Sequence, residues 1–252
     1  MFLAIGVATG LLSGLLGVGG GIVMVPALVA LGYSRHRANA TSLASILLVA
    51  LAGTIAFAIA GSLDWRVGVL LGLGGVVGSW IGAKLMKQMS GRALGIIFGV
   101  VLLLAGLRMT FGSDLATNAV TDSEVLRGVI EVLLGAVAGV ASGLAGVGGG
   151  TVLVPAMVFL LGIDQHTAEG TSLLAILFTA ASATRVNATN RFVDWPVMVI
   201  LGLVGAAIAP FAALLALQIP ATNLSRFFGL FLIVVAIHAI FKNRRAPQPS
   251  LA

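Results

Sequence analysis

The sequence predicts an all-α polytopic membrane protein made of two tandem homologous halves, with about four transmembrane segments in each half and eight in all. Charged residues make up 9% of the 252 residues and hydrophobic residues 59%, whereas soluble domains have about 25% and 45–50%. Several nearly uncharged stretches run for about 20 residues, which is enough to cross a hydrocarbon core of about 30 Å. The pentapeptide GVGGG occurs twice, at 17–21 and at 146–150.

The boundaries of the halves follow from aligning the two glycine motifs. The spacing that separates the motifs also separates Ser13 from Ser142, and one inserted residue later Asp64 aligns with Asp194. A repeat of this length indicates a duplicated structural unit. We therefore expect a first transmembrane repeat at 1–112, a polar linker at 113–126, a second transmembrane repeat at 127–242 and a disordered tail at 243–252.

Each half is expected to begin with a long segment that is broken at its glycine motif and to continue with three ordinary spans. The predicted segments are 1–33, 39–61, 67–83 and 93–112 in the first half, and 127–162, 168–184, 195–217 and 223–241 in the second. The span at 67–83 carries six glycines. Because small residues about four positions apart let helix backbones approach closely within lipid, we interpret these glycines as a packing surface.

Two paths through the membrane are open to the broken segments. If each crosses once, the lysines and arginines divide almost evenly between the two sides. If each turns back at GVGGG, one side collects Arg35, Arg37, Lys84, Lys87, Arg92, Arg185, Arg191, Lys242, Arg244 and Arg245, and the other keeps Arg66, Arg108, Arg127 and Arg226. The second division fits the positive-inside rule better. The second half would then be inverted relative to the first, which is a common arrangement in transporters.

The glycine motifs themselves predict an anion site. Glycine inside a helix costs about 1 kcal/mol relative to alanine, and non-helical backbone at membrane depth is tolerated only where it is buried in protein or lines a watery cavity. A break leaves free N–H groups at the positive end of the next half-helix, where anions bind readily. We expect the two breaks to face each other near the midplane, with an anion held by the amides of Gly19, Gly20, Gly21, Gly148, Gly149 and Gly150.

Polar side chains flank the motifs in both halves. Ser13 and Ser142 are either substrate donors or small packing residues. The residues that open the following spans are either helix N-caps or further groups facing the substrate. The candidate substrate-binding residues, including the first glycine of each motif, are Ser13, Gly17, Gly19, Gly20, Gly21, Asn39, Thr41, Ser42, Ser142, Gly146, Gly148, Gly149, Gly150, Thr171 and Ser172.

Ionisable residues are scarce within the predicted spans. Glu131 lies about one turn inside its segment and is expected to reach the membrane interface. The spans contain no chain of buried acidic residues of the kind expected in a proton pump.

The sequence argues against catalysis and against cofactor or metal binding. The glycine motif lacks the Gly-Lys-Ser/Thr of a P-loop, and Ile22 and Thr151 stand where G-x-G-x-x-G requires its last glycine. The chain has no cysteine and no cluster of metal-ligating residues in its sequence. Its net charge of +6 is explained by basic loops that anchor the protein in the membrane. We therefore expect no enzyme activity, no cofactor, no metal and no nucleic-acid partner.

The paired S-G-x-x-G-V-G-G-G motifs, the T-S-L stretches at 41–43 and 171–173 and the Asp-Trp pairs at 64–65 and 194–195 resemble the TauE/SafE family, also called the 4-toluenesulfonate uptake permease family. The resemblance covers nearly the whole chain. It implies secondary transport of a small sulfur-containing anion, such as sulfite, thiosulfate or an organosulfonate like sulfoacetate. It also implies a multi-pass protein of the bacterial cytoplasmic (inner) membrane, with the lipid bilayer around it.

The same analogy implies protons as the coupling ion. An anion channel with the same pore and a membrane scaffold without a substrate are the alternative functions. The presence of a homo-oligomer is left open.

Overall fold

The computed structural model describes the backbone of residues 1–85, 91–112 and 123–244, and the side chains of the same residues except 91–98 and 242–244. Every regular element in these ranges is a helix. The first half contains α1 (Phe2–Leu16), α2 (Gly21–Ala30), α3 (Arg35–Ile59), α4 (Trp65–Leu85) and α5 (Gly91–Phe111). The second half contains α6 (Glu124–Ala145), α7 (Gly150–Leu160), α8 (Gln165–Thr189), α9 (Trp195–Ala216) and α10 (Ala221–Arg244).

The helices follow the predicted segments, and both breaks are confirmed. α1 ends at Leu16 and α2 begins at Gly21, while α6 ends at Ala145 and α7 begins at Gly150. Most of the predicted linker, 113–122, lies outside the described residues, as does 245–252 of the predicted tail. α10 continues to Arg244 and so includes the first two residues of the predicted tail.

Left-handed backbone at the glycines ends the helices at the breaks. Gly17 closes α1 with a φ of 65°, and Gly20, the N-cap of α2, has a φ of 76°. Gly146 and Gly149 repeat this in the second half with φ values of 71° and 87°. A side chain at these positions would meet the steric cost of left-handed backbone, which glycine avoids. This is why the least helix-stable residue is concentrated at the breaks.

Both broken segments turn back on themselves. Ile5, near the start of α1, packs in one apolar cluster with Leu28, near the end of α2. In the second half, Arg127 at the start of α6 donates a hydrogen bond to the carbonyl of Leu161, which follows α7 (3.4 Å). The two ends of each segment therefore lie together, and the glycine motif forms the tip of a helical hairpin.

The two halves pack against each other through contacts that involve equivalent helices of each half. α1 and α3 of the first half pack against α9 of the second, and their counterparts α6 and α8 pack against α4 of the first. The equivalent helices α3 and α8 contact each other, and so do α5 and α10. The contacts of α9 in one half are thus repeated by α4 in the other, and the two pairs of equivalent helices join the halves into one structure.

Five of the described helices are long and apolar enough to cross a membrane: α3, α4, α6, α9 and α10. α1, α2, α7 and residues 99–111 of α5 are shorter apolar helices. α8 has 25 residues but does not reach that apolarity, because it carries buried polar side chains such as Thr171 and Thr179. Its packing against α3, α4, α6 and α7 provides the environment in which these polar groups are kept away from lipid.

The glycines of α4 bring its backbone against that of α6, as predicted. A methyl group at Gly78 would overlap the carbonyl group of Ala136. From the opposite side, a methyl at Gly139 would lie 2.5 Å from the carbonyl oxygen of Gly75, and one at Gly143 would lie 2.5 Å from that of Ser79. The interface is therefore formed largely by backbone against backbone, which is typical of helix association in lipid.

Replacing Gly78 by alanine is expected to lower the free energy of unfolding by about 1–3 kcal/mol, because the added methyl overpacks the interface between α4 and α6. Gly128→Ala is the matched control, since Gly128 is also a helical glycine but its nearest neighbouring atoms would lie 3.9 Å from the new methyl. That control should be neutral or stabilising by up to about 1 kcal/mol. Thermal unfolding in detergent measures both, and equal effects of the two substitutions would contradict the close approach of the helices.

Candidate functional site

The two glycine breaks face each other in direct contact. A methyl group at Gly21 would lie 2.8 Å from Cα of Val147, and a methyl at Gly150 would lie 2.7 Å from Cα of Val18. Each break therefore packs on the backbone of the other. The two hairpin tips meet inside the protein, where all residues of both motifs are buried.

Isoleucine side chains line the space beside the contact. A methyl at Gly19 would lie 3.3 Å from Ile46 and from Ile176, and a methyl at Gly148 would lie 3.5 Å from Ile176. Both isoleucines are fully buried, one on α3 and the other on α8. The breaks thus lie in an apolar, water-excluded setting, where an electrostatic interaction is stronger than in water.

The last three glycine amides of each motif have no acceptor among the described residues. Within the described part of the chain, the N–H groups of Gly19, Gly20 and Gly21 donate to no carbonyl or side chain, and the same holds for the last three glycines of the second motif. Buried backbone donors are paired in the great majority of cases. These amides also lie at the N-termini of α2 and α7, where the helix dipole is positive. The arrangement provides two groups of unpaired donors that favour a negative charge.

Two of the predicted serines add hydroxyl groups without partners. Ser13 and Ser142 are fully buried, and neither Oγ has a hydrogen-bond partner among the described residues. Ser142 lies beside the second break, since a methyl at Gly149 would be 3.6 Å from its Cβ. These two hydroxyls are thus available as donors to a bound group.

Thr9 and Thr151 were missed by sequence reasoning. Both are fully buried with an unpartnered Oγ1, and Thr9 is in contact with Gly20. Thr9 could have been found from its position four residues before Ser13, because residues four apart share a helix face. Thr151 directly follows the second motif. Neither has a hydroxyl counterpart in the other half, so the two half-sites are not identical.

The other predicted hydroxyl residues form hydrogen bonds between the two halves. Ser42 donates to the carbonyl of Gly146 (3.1 Å), and Ser172 donates to the carbonyl of Gly17 (2.7 Å). A serine has one hydroxyl hydrogen, so in this structure both serines use theirs at the opposite break. Thr41 and Thr171 behave similarly, since they accept from the backbone amides of Asp194 and Asp64, both at 3.0 Å.

Asn39 also bridges the halves: its Nδ2 donates to the carbonyl of Leu144 at 3.0 Å. The interpretation of Asn39 and its neighbours as N-caps was wrong. α3 begins earlier, because the side chain of Ser34 accepts from the amide of Arg37, and α8 begins earlier because Asp164 accepts from the amide of Thr167.

One expectation about acidic residues was also wrong. Glu131 does not reach the membrane interface but is fully buried, with Arg127 at 3.3 Å and Arg66 at 3.8 Å. Glu169 on α8 is fully buried as well and accepts from Nε2 of Gln165 at 2.7 Å. The helices therefore contain two buried carboxyl groups, one paired with arginines and one without an ion pair among the described residues.

Comparison with known proteins adds to this geometry. The family whose description is "Sulfite exporter TauE/SafE" has a sequence model that matches residues 1–109 and 130–251. A probable membrane transporter protein of Xylella fastidiosa (strain 9a5c) is 33% identical over 238 residues, which covers 91% of this chain and 90% of the relative. The probable membrane transporter protein YunE of Bacillus subtilis (strain 168) is 26% identical over 77% of this chain and 80% of its own length.

A probable membrane transporter protein of Haemophilus influenzae is 26% identical over 95% of this chain and 97% of the relative. No solved structure matches the chain significantly. The family match extends over both halves and includes both glycine motifs and the helices around them. This chain is therefore a multi-pass membrane transporter that belongs to the TauE/SafE sulfite exporter family.

Proposed function

We propose that the protein is a secondary transporter that moves a small sulfur-containing anion across the bacterial cytoplasmic membrane, and that the anion binds between the two glycine breaks. The anion is sulfite, thiosulfate or an organosulfonate such as sulfoacetate, as the family description supports. The amides of the last three glycines of each motif donate to its oxygens. Ser13 and Ser142 add hydroxyl donors.

The observation that carries this proposal is the concentration of unpaired donors at the breaks. Six glycine amides and two serine hydroxyls, all buried, have no acceptor in the described part of the protein. An oxyanion has several acceptor oxygens and would satisfy these donors together, and the positive ends of two helix dipoles would stabilise its charge. A cation or an apolar substrate would leave the donors unpaired.

The arrangement of the halves supports alternating access with an inverted repeat. Each half consists of a hairpin that returns to its own side and three further helices, so the chain would begin the second half on the opposite side. The tip of the first hairpin reaches the start of α8, where a methyl at Gly17 would lie 2.6 Å from Cα of Glu169. The tip of the second reaches the start of α3, where one at Gly146 would lie 2.9 Å from Cα of Asn39. Separation of the two tips would admit the anion from one side at a time.

Binding of anions to the purified protein tests this function. Thermal unfolding in detergent is measured with sulfite, sulfate, thiosulfate, sulfoacetate, taurine, acetate and chloride, each as the sodium salt. A substrate that binds only the folded state raises the midpoint as its concentration passes its dissociation constant; a concentration of 100 times that constant corresponds to about 2.7 kcal/mol. We expect one sulfur-containing anion to raise the midpoint at concentrations where chloride and acetate do not.

Flux measurements separate the transporter from the alternatives. In proteoliposomes, uptake of the stabilising anion is expected to saturate and to be accelerated by the same anion on the opposite side. Non-saturating flux without this acceleration would indicate a channel. Absence of both stabilisation and flux for every anion in the panel would overturn the proposed function and favour a scaffold.

A further inference from the structure

Glu169 is a buried carboxyl group placed at the tip of the first hairpin. Its side chain is fully buried, and a methyl group at Gly17 would contact its Cα and carbonyl oxygen, both at 2.6 Å. One carboxyl oxygen accepts from Gln165, whereas the other, Oε2, has no hydrogen-bond partner among the described residues. The position belongs to none of the groups assigned above to the anion.

Asn39 is the residue of the first half that is equivalent to Glu169, and its contacts indicate that this position needs a hydrogen-bond donor. Asn39 lies against Gly146 and donates its amide hydrogen to the carbonyl of Leu144, at the C-terminal end of α6. Glu169 lies in the same way at the C-terminal end of α1, where the helix dipole is negative. A carboxyl group can act there as a donor only when it is protonated. A carboxylate at this place would face the negative end of α1 with no hydrogen to donate.

Among the described residues, no cation forms an ion pair with Glu169. Ionisable side chains on α8, at its N-cap and on the helices that pack against it form no ion pair with Glu169. The described members of this set are Arg35, His36, Arg37, Arg66, Lys84, Glu124, Arg127, Glu131, Asp164, His166, Arg185, Arg226 and His238. Asp164, the N-cap of α8, is acidic and therefore adds no positive charge near Glu169. Glu131, in contrast, has two arginines within 3.8 Å. A buried carboxylate without a cation is costly, so a proton is the simplest compensating charge.

We propose that Glu169 carries the proton that crosses the membrane with the anion, a role that rests on the proposed transport function. In the closed arrangement of the hairpin tips, the carboxyl group is protonated and its charge is removed from the protein interior. When the first hairpin tip moves away from α8, water reaches Glu169, and the carboxylic acid releases its proton to that water. The carboxylate takes a proton from the other side in the next cycle, and no other bond changes.

Glu169→Gln tests the proposal, because glutamine keeps the shape and a donor but cannot release a proton. Wild type and variant are reconstituted with a pH-sensitive dye inside the vesicles, and radiolabelled sulfite and thiosulfate are used in parallel. We expect the wild type to take up the anion together with protons and to respond to a pH gradient. Glu169→Gln should exchange labelled for unlabelled anion but should lose both the proton signal and the response to the gradient. Glu131→Gln, at the other buried carboxyl group, should keep proton movement per anion unchanged.

The outcomes separate this proposal from the transport function. If the wild type moves neither sulfite nor thiosulfate nor any other anion of the stabilisation panel, the proposed function itself is wrong, and the role of Glu169 falls with it. Thiosulfate decides the role of Glu169, because hydrogen sulfite carries its own proton near neutral pH. If the wild type moves thiosulfate without protons, or if Glu169→Gln still moves protons with thiosulfate, transport stands and the role of Glu169 is overturned.

Carbodiimide labelling of the wild type tests the protonation without a variant that must fold. The O–H of a carboxylic acid adds across a carbodiimide, whereas a carboxylate lacks that hydrogen, so only the protonated form reacts. Mass spectrometry of membranes treated with dicyclohexylcarbodiimide is expected to show the adduct on Glu169 and not on Glu131. Labelling of Glu131 in preference to Glu169 would contradict the assignment.

Discussion

Gly20→Val and Gly149→Val are each expected to abolish anion transport. Both glycines have left-handed backbone, with φ values of 76° and 87°, and a β-branched residue in that conformation is a steric outlier. At Gly20 the new Cβ would also overlap the side chain of Thr9 and lie 2.8 Å from its carbonyl oxygen. The substitution would therefore displace the N-terminus of the half-helix and the amide donors that lie there. Initial uptake of the anion identified by the stabilisation panel, normalised to folded protein, measures the effect.

Gly61 and Gly32 provide matched controls for the backbone strain. Their φ values are 74° and 92°, close to those of Gly20 and Gly149, but no atom would lie within 4 Å of a Cβ added to either of them. Gly61→Val and Gly32→Val should reduce stability by about 1–2 kcal/mol through the left-handed backbone alone, while uptake per folded molecule stays close to wild type. Normal uptake by Gly20→Val or Gly149→Val would contradict the placement of the anion at the breaks.

An asparagine variant keeps the test informative if valine prevents folding. Asparagine tolerates left-handed backbone better than other residues with a side chain. Gly149→Asn is expected to fold and to lose most of its uptake, because its amide would fill space beside the unpaired donors. The nearest atom to its Cβ would be the carbonyl oxygen of Ala138 at 3.1 Å, whereas a Cβ at Gly20 would overlap Cγ2 of Thr9. Full uptake by this variant would also place the anion elsewhere.

The helices and breaks could be predicted because their signals are local. Long apolar stretches must be helical in a membrane, and glycines at the motif are needed for left-handed backbone at Gly17 and Gly20. The first residue of α3 was missed although its cap is also local. Ser34 and Asn39 are both good N-cap residues, and the hydrophobic pattern does not distinguish them. In the structure Ser34 is the N-cap of α3. The side chain of Asn39 instead donates a hydrogen bond to the carbonyl of Leu144 in the other half.

The roles of the polar residues at the site could not be predicted, because their partners are distant in sequence. Ser42 and Ser13 look alike in the chain, but Ser42 donates to Gly146, whereas Ser13 has no partner among the described residues. Glu131 and Glu169 are both fully buried, but only the former lies beside arginines, one of which comes from the other half. Their burial arises from the interlocking of the halves, and a hydropathy pattern carries no information about that contact.

Removing the hydroxyl groups of Ser13 and Ser142 is expected to weaken anion binding strongly without harming the fold. A hydrogen bond to a charged group contributes about 1.5–3 kcal/mol, so each serine-to-alanine substitution should raise the dissociation constant by about 10- to 150-fold. Neither hydroxyl has a protein partner in the described structure. The stability of the anion-free protein should therefore stay the same or rise by up to about 1 kcal/mol, because an unpaired buried polar group is removed. Titration calorimetry with the stabilising anion and thermal unfolding without it measure the two quantities.

Ser45→Ala is the matched control for a buried serine outside the site. Ser45 is as fully buried as Ser13, but its hydroxyl donates to the carbonyl of Thr41 at 2.8 Å. Its removal should leave anion affinity unchanged and should not raise stability, because it deletes a hydrogen bond that is made within the protein. Removing a serine that stabilises the fold should therefore lower stability without changing anion affinity. Removing a serine that donates to the anion should lower affinity without lowering stability. Unchanged affinity in the double variant Ser13→Ala/Ser142→Ala would mean that these hydroxyls do not face the anion, and the binding site would then depend on the glycine amides alone.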